Sequence, residues 1–90
     1  MSRATRYAAY RRKVRELTDE HHPYRAGLTR QHSVPVSRGF AWNIPAELIG
    51  SPENVSYITL QENLQIGTRL DAKGIDNLRN WGFESRLTIR

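Results

Sequence analysis

The chain contains no cysteine, which excludes disulfide bonds and thiolate ligands, so any bound metal ion must rely on nitrogen and oxygen ligands. Long apolar runs are also missing, and none approaches the roughly 18 residues that a transmembrane helix needs. The first residues lack the apolar stretch of a signal peptide. We therefore expect an intracellular, cytoplasmic protein that does not engage a membrane.

Acidic residues are scarce in the first third of the chain, where eight arginines and lysines face three acids. The whole net charge of +5 therefore lies in residues 1–30, because residues 31–90 hold six residues of each sign. Such an asymmetry favours a polyanionic partner, although a solvated helix face on a basic protein is the simpler alternative. The expected contacts to a nucleic-acid backbone are Arg11, Arg12, Lys13, Arg15, Arg30 and Arg38.

The length of 90 residues and a composition with 38 % hydrophobic and 26 % charged residues indicate one folded domain rather than a disordered tail. So short a chain buries only about 60 % of its unfolded surface, and its large side chains are needed for the core. We expect four aromatic residues there: Phe40, Trp42, Tyr57 and Trp81. Trp42 is also a candidate for stacking on a base.

The first 22 residues predict a basic amphipathic helix. Its apolar stripe follows helical spacing and consists of Tyr7, Tyr10, Val14 and Leu17. Ser2 or Thr5 is the expected N-cap, and Pro23 requires the helix to end by His22. A loop is expected over residues 21–28.

The middle of the chain predicts two short strands with a broken segment between them. Apolar and polar residues alternate over residues 31–36, which predicts a strand or extended loop. Residues 37–39 predict a turn after it. A helical turn is expected to begin at Pro45. A second strand is expected over residues 54–58.

A helix is predicted directly after that second strand. Thr59 and Glu62 have the spacing of a capping box. The expected apolar face comprises Leu60, Leu64, and Ile66 or Leu70. Gly67 weakens the helix by about 1 kcal/mol relative to alanine, which indicates close packing or an early bend.

The end of the chain predicts a short helix over residues 71–81, with Gly82 just beyond it. Its apolar stripe is Ile75, Leu78 and Trp81. Residues 83–90 alternate enough for an edge strand or an ordered tail. The overall expectation is a small α+β domain over residues 1–90.

Three residues follow one another in an order that is typical of a catalytic site. His32 lies on the first strand, Asn54 begins the second strand, and Asn63 lies in the first turn of the capped helix. This order resembles the HNH endonucleases, and within them the small phage and intron-encoded members. Residues 54–63 are similar to the second half of the family motif, and residues 39–50 resemble its connecting segment. The resemblance covers residues 31–68 and implies a ββα-metal core (His-Me finger) over residues 31–70.

The resemblance further implies a metal-dependent endonuclease or nickase that hydrolyses DNA phosphodiester bonds. His32 would be the general base, Asn54 would orient its ring, and Gln31 and Asn63 would stand at the metal-ligand positions. A neutral histidine with a pKa of about 6.5 can accept a proton at neutral pH. The expected ion is Mg²⁺, with Mn²⁺ or Ni²⁺ as alternatives.

Two departures from the family pattern leave alternatives open. Gln31 stands where members carry an aspartate or histidine ligand, and Gly67 stands where nuclease colicins carry a further histidine. The alternative is a catalytically degenerate scaffold, a phage-type regulator that binds DNA or a host protein. His21 or His22 is a further candidate ligand, His32 alone would also suit a core position, and nothing in the sequence selects DNA over RNA.

Overall fold

The computed structural model describes residues 1–66 and 69–88. Its helices and strands follow the order α1 (Arg3–His21), β1 (Leu28–His32), α2 (Val36–Ala41), α3 (Ala46–Ile49), β2 (Val55–Thr59), α4 (Leu60–Ile66) and α5 (Ala72–Trp81). Short 3-10 turns cover Pro52–Asn54 and Glu84–Thr88. Over these described ranges, the helices include none with both the length and the apolar character to cross a membrane.

Helix α1 confirms the expected N-terminal helix. Ser2 is the N-cap, and its hydroxyl oxygen accepts a hydrogen bond from the backbone of Thr5 at 3.1 Å. The helix ends at His21, two residues before Pro23. Val14 on its apolar stripe is fully buried, and Thr18, one turn further along, is buried as well. One face of α1 therefore covers the domain while its other faces display arginines.

The sheet consists of two antiparallel strands, paired from Leu28 with Thr59 to His32 with Val55. Strand β1 begins earlier than expected and ends at His32, so of the strand or extended loop expected over residues 31–36 the strand is wrong beyond that residue, and helix α2 begins at Val36. Strand β2 confirms the second expected strand, shifted by one residue. The capping box is confirmed as well: the Glu62 backbone donates to Thr59 Oγ1 at 3.2 Å, and the Thr59 backbone donates to Glu62 Oε1 at 3.0 Å.

The turn expected over residues 37–39 is instead part of helix α2. Its glycine allows close packing rather than a turn, because a Cβ on Gly39 would lie 2.6 Å from both Tyr10 Oη and Ile49 Cγ1. Tertiary contact with α1 and α3 thus stabilises a helix that the local sequence does not favour. The helical turn beginning at Pro45 is confirmed as α3, with Pro45 as its N-cap.

The core lies between α1, the segment that joins the two strands, and α5. Its fully buried apolar members are Val14, Val34, Ile44, Ile49 and Leu78. Trp42 and Trp81 pack against this cluster, as expected. Phe40 and Tyr57 lie outside it: Phe40 packs on Tyr7 and Tyr10 of α1, and Tyr57 packs on the ring of His22.

Helix α4 does not bury the apolar face that its sequence predicts. Leu60 and Leu64 are 59 % and 75 % exposed, whereas Ile66 is half-buried. Helix α4 contacts both strands although these two leucines are exposed, so the helical spacing of its leucines does not identify its packed side. Gly67, for which close packing was expected, lies outside the described residues.

Helix α5 confirms the last expected helix. The Asp71 carboxylate caps it by accepting from the Gly74 backbone at 2.8 Å, and Gly82 follows its end with the left-handed φ of 86°. The edge strand considered for residues 83–90 is wrong for the described part, because Glu84–Thr88 form a 3-10 turn. Leu87 in this turn packs against the core, and residues 89–90 lie outside the described ranges.

Candidate functional site

His32 is the last residue of β1, and its ring bonds to α1. Its Nε2 lies 2.9 Å from Thr18 Oγ1, and the Thr18 hydroxyl donates to the Val14 carbonyl at 2.7 Å. Because a hydroxyl has one proton, Thr18 Oγ1 is left to accept from His32, so Nε2 carries the ring proton. The other ring nitrogen, Nδ1, is then unprotonated and available as a proton acceptor.

Nδ1 of His32 is open to solvent. In residues 1–66 and 69–88 no hydrogen bond involves this atom, and the one buried side-chain nitrogen or oxygen without a partner there is His22 Nδ1. Burial of the ring, together with the nearby charges of Arg30 and His22, lowers the pKa of His32 from 6.5 to about 4. The imidazole is therefore neutral at pH 7, and its protonated form would need an anion beside it.

Two adjoining cavities of about 180 Å³ and 350 Å³ open around this ring. Both are lined by Arg11, Arg30, His32 and Val36, and together they form what we call the His32 cleft. Arg15 and Thr18 also line the smaller cavity. Three arginines, of which Arg30 is paired with Asp19, thus line the cleft beside a neutral histidine, an arrangement that favours an anion such as phosphate.

The larger cavity also brings together Gln31 and Asn63, the two expected metal-ligand positions, with His32. Their amide oxygens are neutral, and the nearest charged neighbours in the cavity wall, Arg11 and Arg30, are cations. Mg²⁺ prefers carboxylate oxygens. The described residues contain no group of three or more His, Asp or Glu side chains placed to hold a metal ion. Gln31 and Asn63 therefore do not fit a resident divalent ion.

The histidines considered as further ligands do not complete such a site. His22 packs its ring on Tyr57, with centroids 5.2 Å apart. Its backbone carbonyl accepts from Arg30 at 3.1 Å. His21 is exposed at the end of α1, and neither histidine lines the cleft.

Asn54 does not orient the His32 ring, and the expectation that it would is wrong. It is fully buried, and its amide bonds elsewhere. Its Oδ1 accepts from the Val34 backbone at 2.8 Å and from Asn77 Nδ2 at 3.0 Å, while its Nδ2 donates to the carbonyls of Val34 and Ile49 at 3.1 and 2.9 Å. All four hydrogen-bonding positions of the amide are thus occupied. Asn54 fixes the chain that follows His32, and Thr18 holds the ring.

Three of the basic residues expected to contact nucleic acid lie at the cleft. Arg11, Arg15 and Arg30 line it, and Arg12 joins the first two in a neighbouring cavity along α1. Arg30 is held in place by an ion pair with Asp19.

The other two basic residues lie elsewhere. Lys13 Nζ pairs with the carboxylate of Glu47 on α3 at 3.8 Å. Arg38 places its guanidinium over the ring of Trp42, 5.5 Å from the centroid, and does not line the cleft. Trp42 itself packs against the core, which argues against it as a base-stacking residue.

Sequence reasoning missed Thr18 and Asn77. Thr18 continues the apolar stripe of α1 four residues after Val14, and a polar residue at such a position is the one available signal. Asn77 bonds Asn54 across 23 positions of sequence, and no local pattern indicates that contact.

Comparison with family models, with curated proteins and with solved structures gives no match. The likeness to HNH nucleases therefore rests on the residues of this chain alone.

Proposed function

We propose that the His32 cleft binds a phosphodiester of nucleic acid and that the protein is an HNH-type endonuclease or nickase with His32 as its general base. The observation that carries the proposal is the solvent-open Nδ1 of a neutral histidine, held by Thr18, in a cleft lined by Arg11, Arg15 and Arg30. A base and cations around one anion-sized cavity are what phosphodiester hydrolysis requires.

The guanidinium groups of Arg11, Arg15 and Arg30 bind the phosphate oxygens and balance the negative charge that grows as water attacks phosphorus. His32 Nδ1 takes the proton of that water, and the adjacent phosphate stabilises the imidazolium that forms. The departing sugar oxygen takes its proton from solvent.

The order of elements supports the same proposal. Strand β2 pairs with β1 and is followed directly by α4, and Gln31, His32 and Asn63 border one cavity. A divalent ion remains a prediction of that resemblance. Because the two amide oxygens do not fit a resident ion, we assign no step to it. Such an ion would be held mainly by phosphate oxygens of the substrate.

The direct test is cleavage of supercoiled plasmid and of labelled oligonucleotides at low salt, with Mg²⁺, Mn²⁺, Ni²⁺ or EDTA. Wild-type protein is expected to convert supercoiled DNA to nicked or linear forms, and His32→Gln is expected to abolish that activity. Absence of cleavage of DNA and RNA under all four conditions would count against the proposal. Activity only with a metal ion would support the metal requirement, and equal activity in EDTA would reject it.

A second candidate function is a degenerate scaffold that binds DNA or a host protein without cutting. The neutral Gln31 at the expected ligand position and the low pKa of the His32 ring favour it. It predicts salt-dependent binding that is indifferent to EDTA, together with no cleavage. Gln31→Asp separates the two candidates: a degenerate scaffold is expected to gain nicking with Mg²⁺, whereas an active enzyme is expected to change its metal preference.

A further inference from the structure

Two aromatic rings, Tyr7 on α1 and Phe40 on α2, form a half-exposed pair beside the His32 cleft. Their centroids are 4.9 Å apart, with an angle of 55° between the rings. Neither ring belongs to the apolar core, although a domain of this size has few large side chains to spare. The pair is held in place because Gly39 lets α2 pack closely against Tyr10 and Ile49.

A cavity of about 560 Å³ opens over this pair, lined by Arg3, Ala4, Tyr7, Ser37 and Phe40. We call it the aromatic cavity. It shares Tyr7 and Ser37 with the larger cavity of the His32 cleft. The two cavities are therefore neighbours, and we call them together the trough, with the rings in one cavity and the histidine in the other.

Cations lie over the faces of both rings. The Arg3 guanidinium is 5.0 Å from the centroid of Phe40, and that of Arg11 is 5.7 Å from the centroid of Tyr7. A base of single-stranded nucleic acid can stack on such a surface by displacing a guanidinium from a ring or by stacking on the guanidinium plane, while its phosphates contact the cations. An apolar protein segment would find these same positive charges unfavourable.

We infer that the aromatic cavity is a base-stacking subsite, which holds an unpaired base of the nucleotide next to the phosphate bound in the His32 cleft. The inference rests on the proposed function for the location of that phosphate. A base within a duplex is covered on both faces by its neighbours and cannot enter such a cavity unless it leaves the stack. The preferred ligand is therefore a single-stranded or locally unpaired nucleic acid.

The first test uses wild-type protein and fluorescence anisotropy with labelled 12-nucleotide probes, checked on gels for integrity. Each probe is made as DNA and as RNA, in three forms: single-stranded, single-stranded with abasic sites, and duplex. We expect the intact single strand to bind about tenfold more tightly than the abasic strand or the duplex, because stacking is lost in both. Equal or tighter binding of the abasic strand or of the duplex would overturn the inference, and the DNA and RNA arms identify the preferred sugar.

The second test compares Phe40→Leu with Tyr24→Leu, a matched removal of an aromatic ring that is 76 % exposed and does not line the trough. Phe40→Leu is expected to weaken single-strand binding about tenfold without changing duplex binding, and Tyr24→Leu is expected to leave both unchanged. Thermal unfolding checks that each variant folds. If Phe40→Leu does not fold, the abasic probe on wild-type protein still decides the question.

Failure of this inference is distinguishable from failure of the proposed function. Cleavage that depends on His32 but is indifferent to abasic sites and to Phe40→Leu would overturn the stacking subsite alone. Stacking-dependent binding without any cleavage would keep the subsite and reject the nuclease. Heparin that competes equally with the intact and the abasic strand, with no effect of Phe40→Leu, would show a general polyanion surface and overturn the inference.

Discussion

His32 Nε2 lies 2.9 Å from Thr18 Oγ1, so a residue of α1 determines which nitrogen of the β1 histidine is left without a hydrogen-bond partner among the described residues. The Thr18 hydroxyl donates its one proton to the Val14 carbonyl, so Thr18 Oγ1 can only accept a hydrogen bond from the ring. The same side chain is 2 % exposed, so the contact is also shielded from water. Helix α1, which carries six of the 14 arginines and lysines, thereby holds the proposed base as well.

Substitution of Thr18 tests this contact. Thr18→Val keeps the shape of the side chain and removes the oxygen that accepts from the His32 ring. We expect cleavage activity to fall about five- to tenfold, which corresponds to the loss of one hydrogen bond in the transition state. Thr18→Ser retains the hydroxyl and is expected to keep most activity. The ring tautomer is read from ¹⁵N NMR, where wild type should show a protonated Nε2. A protonated Nδ1 in wild type would contradict the assignment.

The pH dependence of stability tests the environment of His32. Its pKa is about 4 in the folded protein and about 6.5 in the unfolded chain, so between these values the unfolded chain binds a proton that the folded protein does not. The neutral ring therefore makes its full contribution to the free energy of unfolding above pH 6.5, and this contribution is lost as the pH falls toward 4. The free energy of unfolding decreases by about 3 kcal/mol over this range.

The measurement is urea unfolding between pH 4 and pH 7, with NMR titration of the ring. His32→Gln removes the titrating group and is expected to flatten the slope of the free energy of unfolding against pH in this window. A His32 ring that titrates near pH 6.5 would show that it is not buried as described.

Asn54 tests how the scaffold holds the site. Asn54→Ala leaves the backbone N–H and carbonyl of Val34 and the carbonyl of Ile49 buried without partners, and we expect a loss of about 3 kcal/mol or more in the free energy of unfolding. A small domain has only about 5–15 kcal/mol in total. Asn80→Ala, at an exposed position of α5, is the matched control and is expected to cost well under 1 kcal/mol. Equal effects of the two variants would contradict the role of Asn54.

Much of the fold was predictable because its signals are local. The stripe and cap of α1, the Thr59–Glu62 capping box, and the Asp71 and Gly82 ends of α5 each depend on residues a few positions apart. The approach of Gln31, His32 and Asn63 to one cavity was also expected, from the resemblance rather than from local pattern.

What the sequence could not predict depends on contacts between distant parts of the chain. Helix α2 is stabilised by packing around Gly39, although its sequence reads as a turn. The hydrogen-bond partner of the His32 ring was expected to be Asn54 but is Thr18. Both are polar residues distant from His32 in the sequence, and only the folded structure shows which of them contacts the ring. The exposure of Leu60 and Leu64 likewise reflects which side of α4 meets the sheet.

Binding of nucleic acid to the cleft is predicted to depend on salt through a few arginines. Arg11→Gln is expected to weaken binding and to reduce the slope of log K against log salt concentration by about one. Arg79→Gln removes the same charge from a residue that pairs with Glu84 and does not line the cleft, and it is expected to leave the slope nearly unchanged. Equal changes for both variants would indicate diffuse attraction to the net charge rather than a phosphate site.

Binding of a nucleic-acid phosphate beside His32 is the event on which both proposals depend. It is tested most directly by NMR of the histidine rings during titration with an oligonucleotide that stays intact, with exposed His21 as the internal reference. We predict that the His32 ring signals shift to saturation and that the pKa of His32 rises from about 4, because the phosphate anion stabilises the imidazolium. Saturation of binding with the signals and the pKa of His32 unchanged would contradict the claim.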